Sequence, residues 1–358
     1  MTEAASLPVA AHYIGVWRLF GVNGLADGAA SFEIGMLGEP GADVRIVADP
    51  EPYFAHIDRS RALLGLVMKG LFGDEHKGSA RERFETELER VRTERLKEMK
   101  GGAYLVIEGH LRGESINPKL RGEAGVFTVT FDGVNKEAVR TAFRPVTTSM
   151  LTAAAVNLKD NADRQYALVG DAIYLTEGNS GKPIYSFTMT GMGARLSVSS
   201  PLDAEGAARI ARQGAKLLAG AGLERSARLL TLSHDRKTDP LQAFLSGWSA
   251  LEIFVNKCFA ATYEARWFEL LEGAAPPAAA PVFERLRHVM HDKYRLADKF
   301  LVIAATLSPD TADADGREFV RVKKVRDALL HGEEVEAPYP TEAIQALLQT
   351  YMRLHLEV

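Results

Sequence analysis

The sequence predicts an α+β domain followed by an all-α helical bundle. Three observations carry this. Short β-favouring runs mix with helical patterns over the first two thirds of the chain. The pattern becomes almost wholly helical after the polar stretch Ser233-His234-Asp235-Arg236-Lys237-Thr238. The length, 358 residues, exceeds that of a typical single domain. The expected division is a mixed α+β domain over 1–235 and a helical bundle over 239–358.

In chain order, the strand candidates are Tyr13–Phe20, Ser31–Leu37, Tyr104–Leu111, Val126–Phe131, Tyr166–Thr176 and Pro183–Thr190, separated by Gly, Asn and Asp clusters. Val126-Phe127-Thr128-Val129-Thr130-Phe131 alternates in polarity, as a half-buried strand requires. Helical patterns fall at Ile57–Phe72, Ser79–Met99 and Asp203–Leu232. The second of these is dense in Arg and Glu and stops at Gly101-Gly102, which reads as an exposed, salt-bridged helix. No internal repeat is present.

In the C-terminal third, Asp239 is placed to N-cap a helix with Pro240 at its first position. Phe244, Leu245, Trp248, Leu251, Val255 and Phe259 then recur at three- and four-residue spacing. The stretch from Gly273 to Pro281 breaks the chain, and a second helix is expected from Val282 to Leu307. After the polar loop Ser308–Gly316, a third helix runs to His331 and is closed by Gly332. Thr341 is expected to cap a last helix that carries Ile344, Leu347, Leu348, Tyr351 and Leu354 on one side. Four helices with short connections make a bundle.

Composition narrows the function. The chain is 46% hydrophobic and 25% charged, as a globular protein with a real core is. No apolar run reaches the length of a membrane span, and Met1 to Ala11 lacks the basic and apolar regions of a secretory signal. A cytoplasmic protein with no membrane association is expected. Cys258 is the only cysteine, so neither an internal disulfide nor a cysteine-based zinc site is expected. The net charge of −4 argues against a global electrostatic grip on nucleic acid. Locally the balance differs: Arg317, Arg321, Lys323, Lys324 and Arg326 face one acid, Glu318, between 317 and 326. Such a cluster is either a solvated helix face or a phosphate-binding stripe.

Several patterns fail on inspection. Gly191-Met192-Gly193 lacks the last glycine of a dinucleotide fingerprint, because Leu196 stands there. No phosphate-loop GK[ST] occurs. If Gly316 is the sixth residue of a calcium loop, Thr311 and Val322 occupy its first and twelfth positions, which excludes it. Glu284, His288 and His291 share a helix face but read as a solvated polar face, so no metal is expected.

The constellation that carries chemistry is Val325-Arg326-Asp327-Ala328-Leu329-Leu330-His331-Gly332. Arg228…His234 and Arg285…His291 have loosely similar spacing, but each has Leu after its arginine. Only the 326–331 copy combines Asp327, a preceding basic helix and a glycine stop. His331 ends a helix, where the negative pole of the macrodipole favours an imidazolium. Its imidazole suits proton transfer with a ribose 2′-hydroxyl or a leaving oxygen. Arg326 suits a phosphate gaining charge in a transition state. Five residues apart on a helix, the two side chains point about 140° from one another. Glu252 lies on the apolar stripe of the first helix, where a buried carboxylate needs a partner, and Arg326 is expected to be that partner.

This motif resembles the RNase motif of the HEPN superfamily, and Trp248-Ser249-Ala250-Leu251-Glu252-Ile253 is similar to the opening helix of HEPN bundles, in their Apea-like form. The likeness covers 239–358 and none of the first 230 residues. It implies a homodimer in which two motifs face one composite cleft, and RNA cleavage without metal or other cofactor that leaves a 2′,3′-cyclic phosphate. Arg326, His331 and Asp327 would be catalytic, Asp327 as an orienting group. Glu252 would support Arg326, and Arg317, Arg321, Lys323 and Lys324 would bind RNA. It also implies a place in prokaryotic conflict systems such as antiphage defence, with the N-terminal domain meeting a phage or cellular trigger. Some HEPN toxins carry tyrosine two residues after the histidine; this chain has Glu333, so control through that tyrosine is not expected. Two alternatives stay open. One is a non-catalytic HEPN module that binds nucleotide or RNA or dimerises. The other is an enzyme whose site lies in the N-terminal domain.

Overall fold

The computed structural model describes residues 9–71, 79–99, 101–112, 119–123, 126–130, 135–158, 166–177, 183–190, 200–220, 222–234, 239–290 and 293–358. Gly191-Met192-Gly193, Leu196, His291 and most of the polar stretch 233–238 lie outside them. The chain forms two compact units, 1–147 with 158–211, and 148–157 with 212–358.

The first unit is built on an antiparallel sheet of six strands: β1 (Val9–Leu19), β3 (Ser31–Leu37), β4 (Ala42–Val47), β5 (Ala103–Arg112), β8 (Tyr166–Glu177) and β9 (Pro183–Thr190). Their order is β3-β4-β5-β1-β8-β9. Two small pairs accompany it: β2 (Val22–Leu25) runs parallel to β10 (Ser200–Leu202), and β6 (Lys119–Glu123) antiparallel to β7 (Val126–Thr130). Side chains alternate across the central strands. On one face Ile14, Val16, Tyr104, Val106 and Ala172 pack with Phe54, Ile57 and Met99, from the segments that hold α1 (Ala55–Leu71) and α2 (Ala80–Met99). On the other face Tyr13 stacks on Phe143 of α3 (Lys136–Asn157), with ring centroids 5.1 Å apart. Gly109, the cross-strand partner of Tyr13, admits that approach, since a Cβ there would lie 2.3 Å from the Phe143 ring.

Helix α2 is only partly the exposed, salt-bridged helix that its composition suggests. Ser79 and Glu82 form a capping box, and Lys69, Arg90 and Glu94 form ion pairs around Glu87 and Arg90. Leu88 and Val91, however, bury against Ala62 of α1, and Arg95 turns inward to a forked ion pair with the fully buried Asp58.

The second unit is helical. It holds the end of α3, the end of α4 (Ala204–Leu218), α5 (Glu224–Ser233), α6 (Pro240–Cys258), α7 (Glu264–Ala274), α8 (Ala280–Met290), α9 (Leu296–Leu307), α10 (Ala312–Leu330) and α11 (Thr341–Glu357). The coarse expectation therefore holds: a sheet-bearing N-terminal region precedes a helical C-terminal one. Asp239 caps α6 as expected, its carboxylate accepting the amides of Leu241 and Gln242 at 2.9 and 3.2 Å. Helices α6, α9, α10 and α11 share one core. In it Phe319 lies stacked on Phe300 at 4.4 Å and tilted against Trp248 at 5.4 Å. Phe244, Leu251, Val255, Ile303, Ile344, Leu348 and Tyr351 are buried around them.

Several boundaries differ from those expected. The single helix over 203–232 is two, α4 and α5, because Gly220 and Gly222 take φ of 98° and 65° between them. The helix expected over 282–307 is also two, α8 and α9, the latter opened by Asp298 accepting the Arg295 amide at 3.0 Å. The polar loop is shorter than read, since α10 begins at Ala312. Pro340, not Thr341, occupies the N-cap position of α11, and no side chain there hydrogen-bonds the first turn.

His234, at the end of α5, is half-buried, and its Nε2 lies 3.3 Å from the Gln349 amide. Burial pushes its pKa down to about 4. An unfolded histidine titrates near 6.5. Between those values the unfolded chain binds a proton that the folded one refuses, so stability is full above pH 6.5 and falls as the pH falls. The expected loss is about 2 kcal/mol between pH 7 and pH 5. Urea midpoints at the two pH values check this. His234→Gln should show a flatter fall than the wild type, and equal falls would contradict it.

Candidate functional site

The site is set by the packing of α10 on α6. Phe319, Val322 and Arg326 recur at three- and four-residue spacing on α10; the first two are fully buried, which turns the third toward α6 as well. On α6, Trp248 and Glu252 stand one turn apart. Glu252 receives Arg326 Nη2 at 3.1 Å and Trp248 Nε1 at 3.0 Å on the same oxygen, Oε2. The guanidinium carbon also lies 5.1 Å from the centre of the Trp248 ring, within cation–π range. The second arm of Arg326, Nη1, donates to Asp327 Oδ1 at 2.8 Å, and the other oxygen of Asp327 takes Lys323. Arginine is thus fixed on three sides, with its side chain 21% exposed.

The expected Glu252–Arg326 pair is present, but burial of the carboxylate is not what requires it. Glu252 is not buried: its side chain is 37% exposed, because it sits at the margin of the apolar stripe. Partial burial works against the charge of Asp327, but Lys323 and Arg326 outweigh it and hold the carboxyl below its usual range.

His331 follows α10 as its C-cap residue and is exposed. The turn beyond it is a Schellman motif: Gly332 N–H reaches Leu329 O at 3.2 Å, Glu333 N–H reaches Ala328 O at 3.0 Å, and Gly332 takes φ 78°. Among the described residues the His331 ring makes no hydrogen bond or ion pair, and none joins it to Arg326. The structure brings Arg326, Asp327, Glu252 and Lys323 together and leaves His331 apart.

The basic run is less basic in space than in sequence. Arg317 pairs with Asp313, Arg321 with Glu318 at 2.6 Å, and Lys323 with Asp327. Only Lys324 of the four proposed RNA-binding residues makes no ion pair among the described residues, and it is exposed. Trp248 was legible only as core; its spacing of four from Glu252 is the signal that could have joined it to the site.

Among the described residues of the first unit, polar groupings include the following. A cleft of about 290 Å³ is lined by Asp49, Glu51, Asp58 and Arg92, but Arg95 occupies both oxygens of Asp58. On the sheet, His12 Nε2 lies 2.7 Å from Glu108 Oε1, and its ring stacks on His110 at 4.3 Å. Among the described residues no group of three acidic, histidine or cysteine side chains is arranged to hold a metal ion, and no helix is long and apolar enough to cross a membrane. No protein-family model, no curated protein and no solved structure matches the chain.

Proposed function

We propose that the chain is a metal-independent endoribonuclease of the HEPN type, working as a homodimer through its helical unit. The observation that carries this reading is the contrast within the Arg326–His331 motif. The arginine is held rigidly on α6 by Glu252 and Trp248, while the histidine stands exposed at the helix end. A fixed cation and an open imidazole are what cleavage next to a ribose requires. The imidazole of His331 takes the proton of the 2′-hydroxyl. The 2′-oxygen attacks phosphorus, and the 5′-oxygen leaves with a proton given by the imidazolium of the second copy's His331. The products are a 2′,3′-cyclic phosphate and a 5′-hydroxyl. Arg326 meets the charge that grows on the phosphoryl oxygens, and Asp327 orients it. The absence of contact between Arg326 and His331 within one chain supports a cleft completed by a second copy. Lys324, Arg317, Arg321 and Lys323 would steer the RNA backbone. A role in antiphage defence, with the first unit meeting a phage or cellular trigger, follows from the family likeness alone.

One observation favours a second reading. Both arms of Arg326 are already engaged by carboxylates, as in a purely structural ion pair. The helical unit would then bind RNA or nucleotide, or dimerise, without catalysis. Incubating RNA with wild type, Arg326→Ala and His331→Ala separates the two. Loss of cleavage in both variants, with circular dichroism unchanged, supports the nuclease. RNA binding without products supports the second reading.

A further inference from the structure

We infer that Trp248 is a positioning residue for Arg326, an inference that rests on the nuclease reading above. Its indole makes two contacts with the motif at once. The ring face lies under the guanidinium, 5.1 Å away, and the Nε1 hydrogen bonds the Glu252 oxygen that accepts Arg326 Nη2. A carboxylate gripped by one donor can swing; the indole hydrogen fixes the acceptor before the arginine arrives, so the guanidinium has one orientation. The same ring packs on Phe319, which lies seven residues, two turns, before Arg326 on the same face of α10. That contact belongs to the core of the unit, two turns from the guanidinium, and the orientation of Arg326 rests on the other two. Being 2% exposed, it is no platform for an RNA base, and its effect on RNA passes through Arg326.

This division of contacts makes the role separable from packing. Trp248→Phe keeps a ring against Phe319 but removes the indole hydrogen and weakens the π face. Phe319→Leu loosens the packing against the indole and leaves its hydrogen bond alone. Single-turnover and steady-state RNA cleavage would be measured for the full-length wild type, Trp248→Phe, Phe319→Leu, Arg326→Ala and the double variant Trp248→Phe/Arg326→Ala, with melting temperatures alongside. Trp248→Phe is expected to lower kcat roughly tenfold with KM within about twofold, and the double variant to be no worse than Arg326→Ala. Phe319→Leu is expected to lower the melting temperature and leave kcat unchanged. Trp248→Phe cleaving at the wild-type rate while Arg326→Ala does not cleave overturns the positioning role alone. So does an equal loss of kcat in Phe319→Leu, or a double variant that multiplies the two losses. A wild type that cuts no RNA overturns the nuclease reading, and the positioning role with it.

Discussion

Arg326→Ala is expected to lower RNA cleavage by on the order of a hundred- to a thousandfold while the helical unit stays folded. Both halves of that expectation come from the same geometry. Arg326 is the one cation of the motif held from three directions, so its loss removes a preorganised positive charge. The partner left behind, Glu252, is 37% exposed and can be solvated, so the stability cost should stay below about 1 kcal/mol. Arg326→Lys is a sharper variant. It keeps the charge and loses the fork, so a lysine enzyme that stays nearly inactive would identify orientation, not charge, as the contribution. An Arg326→Ala protein that melts well below the wild type would instead point to the structural reading.

The second large effect belongs to the other unit. Asp58→Ala should destabilise the chain by about 3–5 kcal/mol, because it strands a buried guanidinium. Asp58 is fully buried, and Arg95, 4% exposed at its side chain, lies with its guanidinium carbon 4.7 Å from the Phe54 ring centre and its Nη1 near Met99 sulfur. The double variant Asp58→Ala/Arg95→Met removes both charges and should recover most of the loss. Urea unfolding followed by circular dichroism measures each step. An Asp58→Ala midpoint within about 1 kcal/mol of the wild type would contradict the account of this pair.

How much of this was legible in the sequence depended on whether the deciding force was local. Strands β3 and β9 fall where Ser31–Leu37 and Pro183–Thr190 were read, because turn residues bound them on both sides. Asp239 was readable as a cap for the same reason. Helix α3 was not read at all. Pro145 stands inside it, and its threonines favour strands; in the fold Thr147 and Thr152 return their hydroxyls to carbonyls one turn back, at 3.0 and 2.7 Å. Buried packing of Phe143, Val146 and Met150 then overrides propensity.

At the candidate site, the Glu252–Arg326 pair was readable from an acid on an apolar stripe, although Glu252 is not buried there as that reading expects. The pairing of Trp248 with both was not, since a tryptophan on that stripe reads as core and nothing local says which way its nitrogen points. The basic run misled in a different way. Counting from 317 to 326 left out Asp313 and Asp327, which flank the window and neutralise two of its cations.

The measurement that bears most directly on the central claim is RNA cleavage by the purified full-length protein in EDTA, wild type beside His331→Ala. His331 is the sharper choice because its exposed ring makes no hydrogen bond or ion pair among the described residues that its loss would break. The account predicts wild-type cleavage that persists in EDTA, with 2′,3′-cyclic phosphate ends, and none from His331→Ala. Cleavage by the alanine variant at the wild-type rate, cleavage abolished by EDTA, or no cleavage by either protein would contradict it.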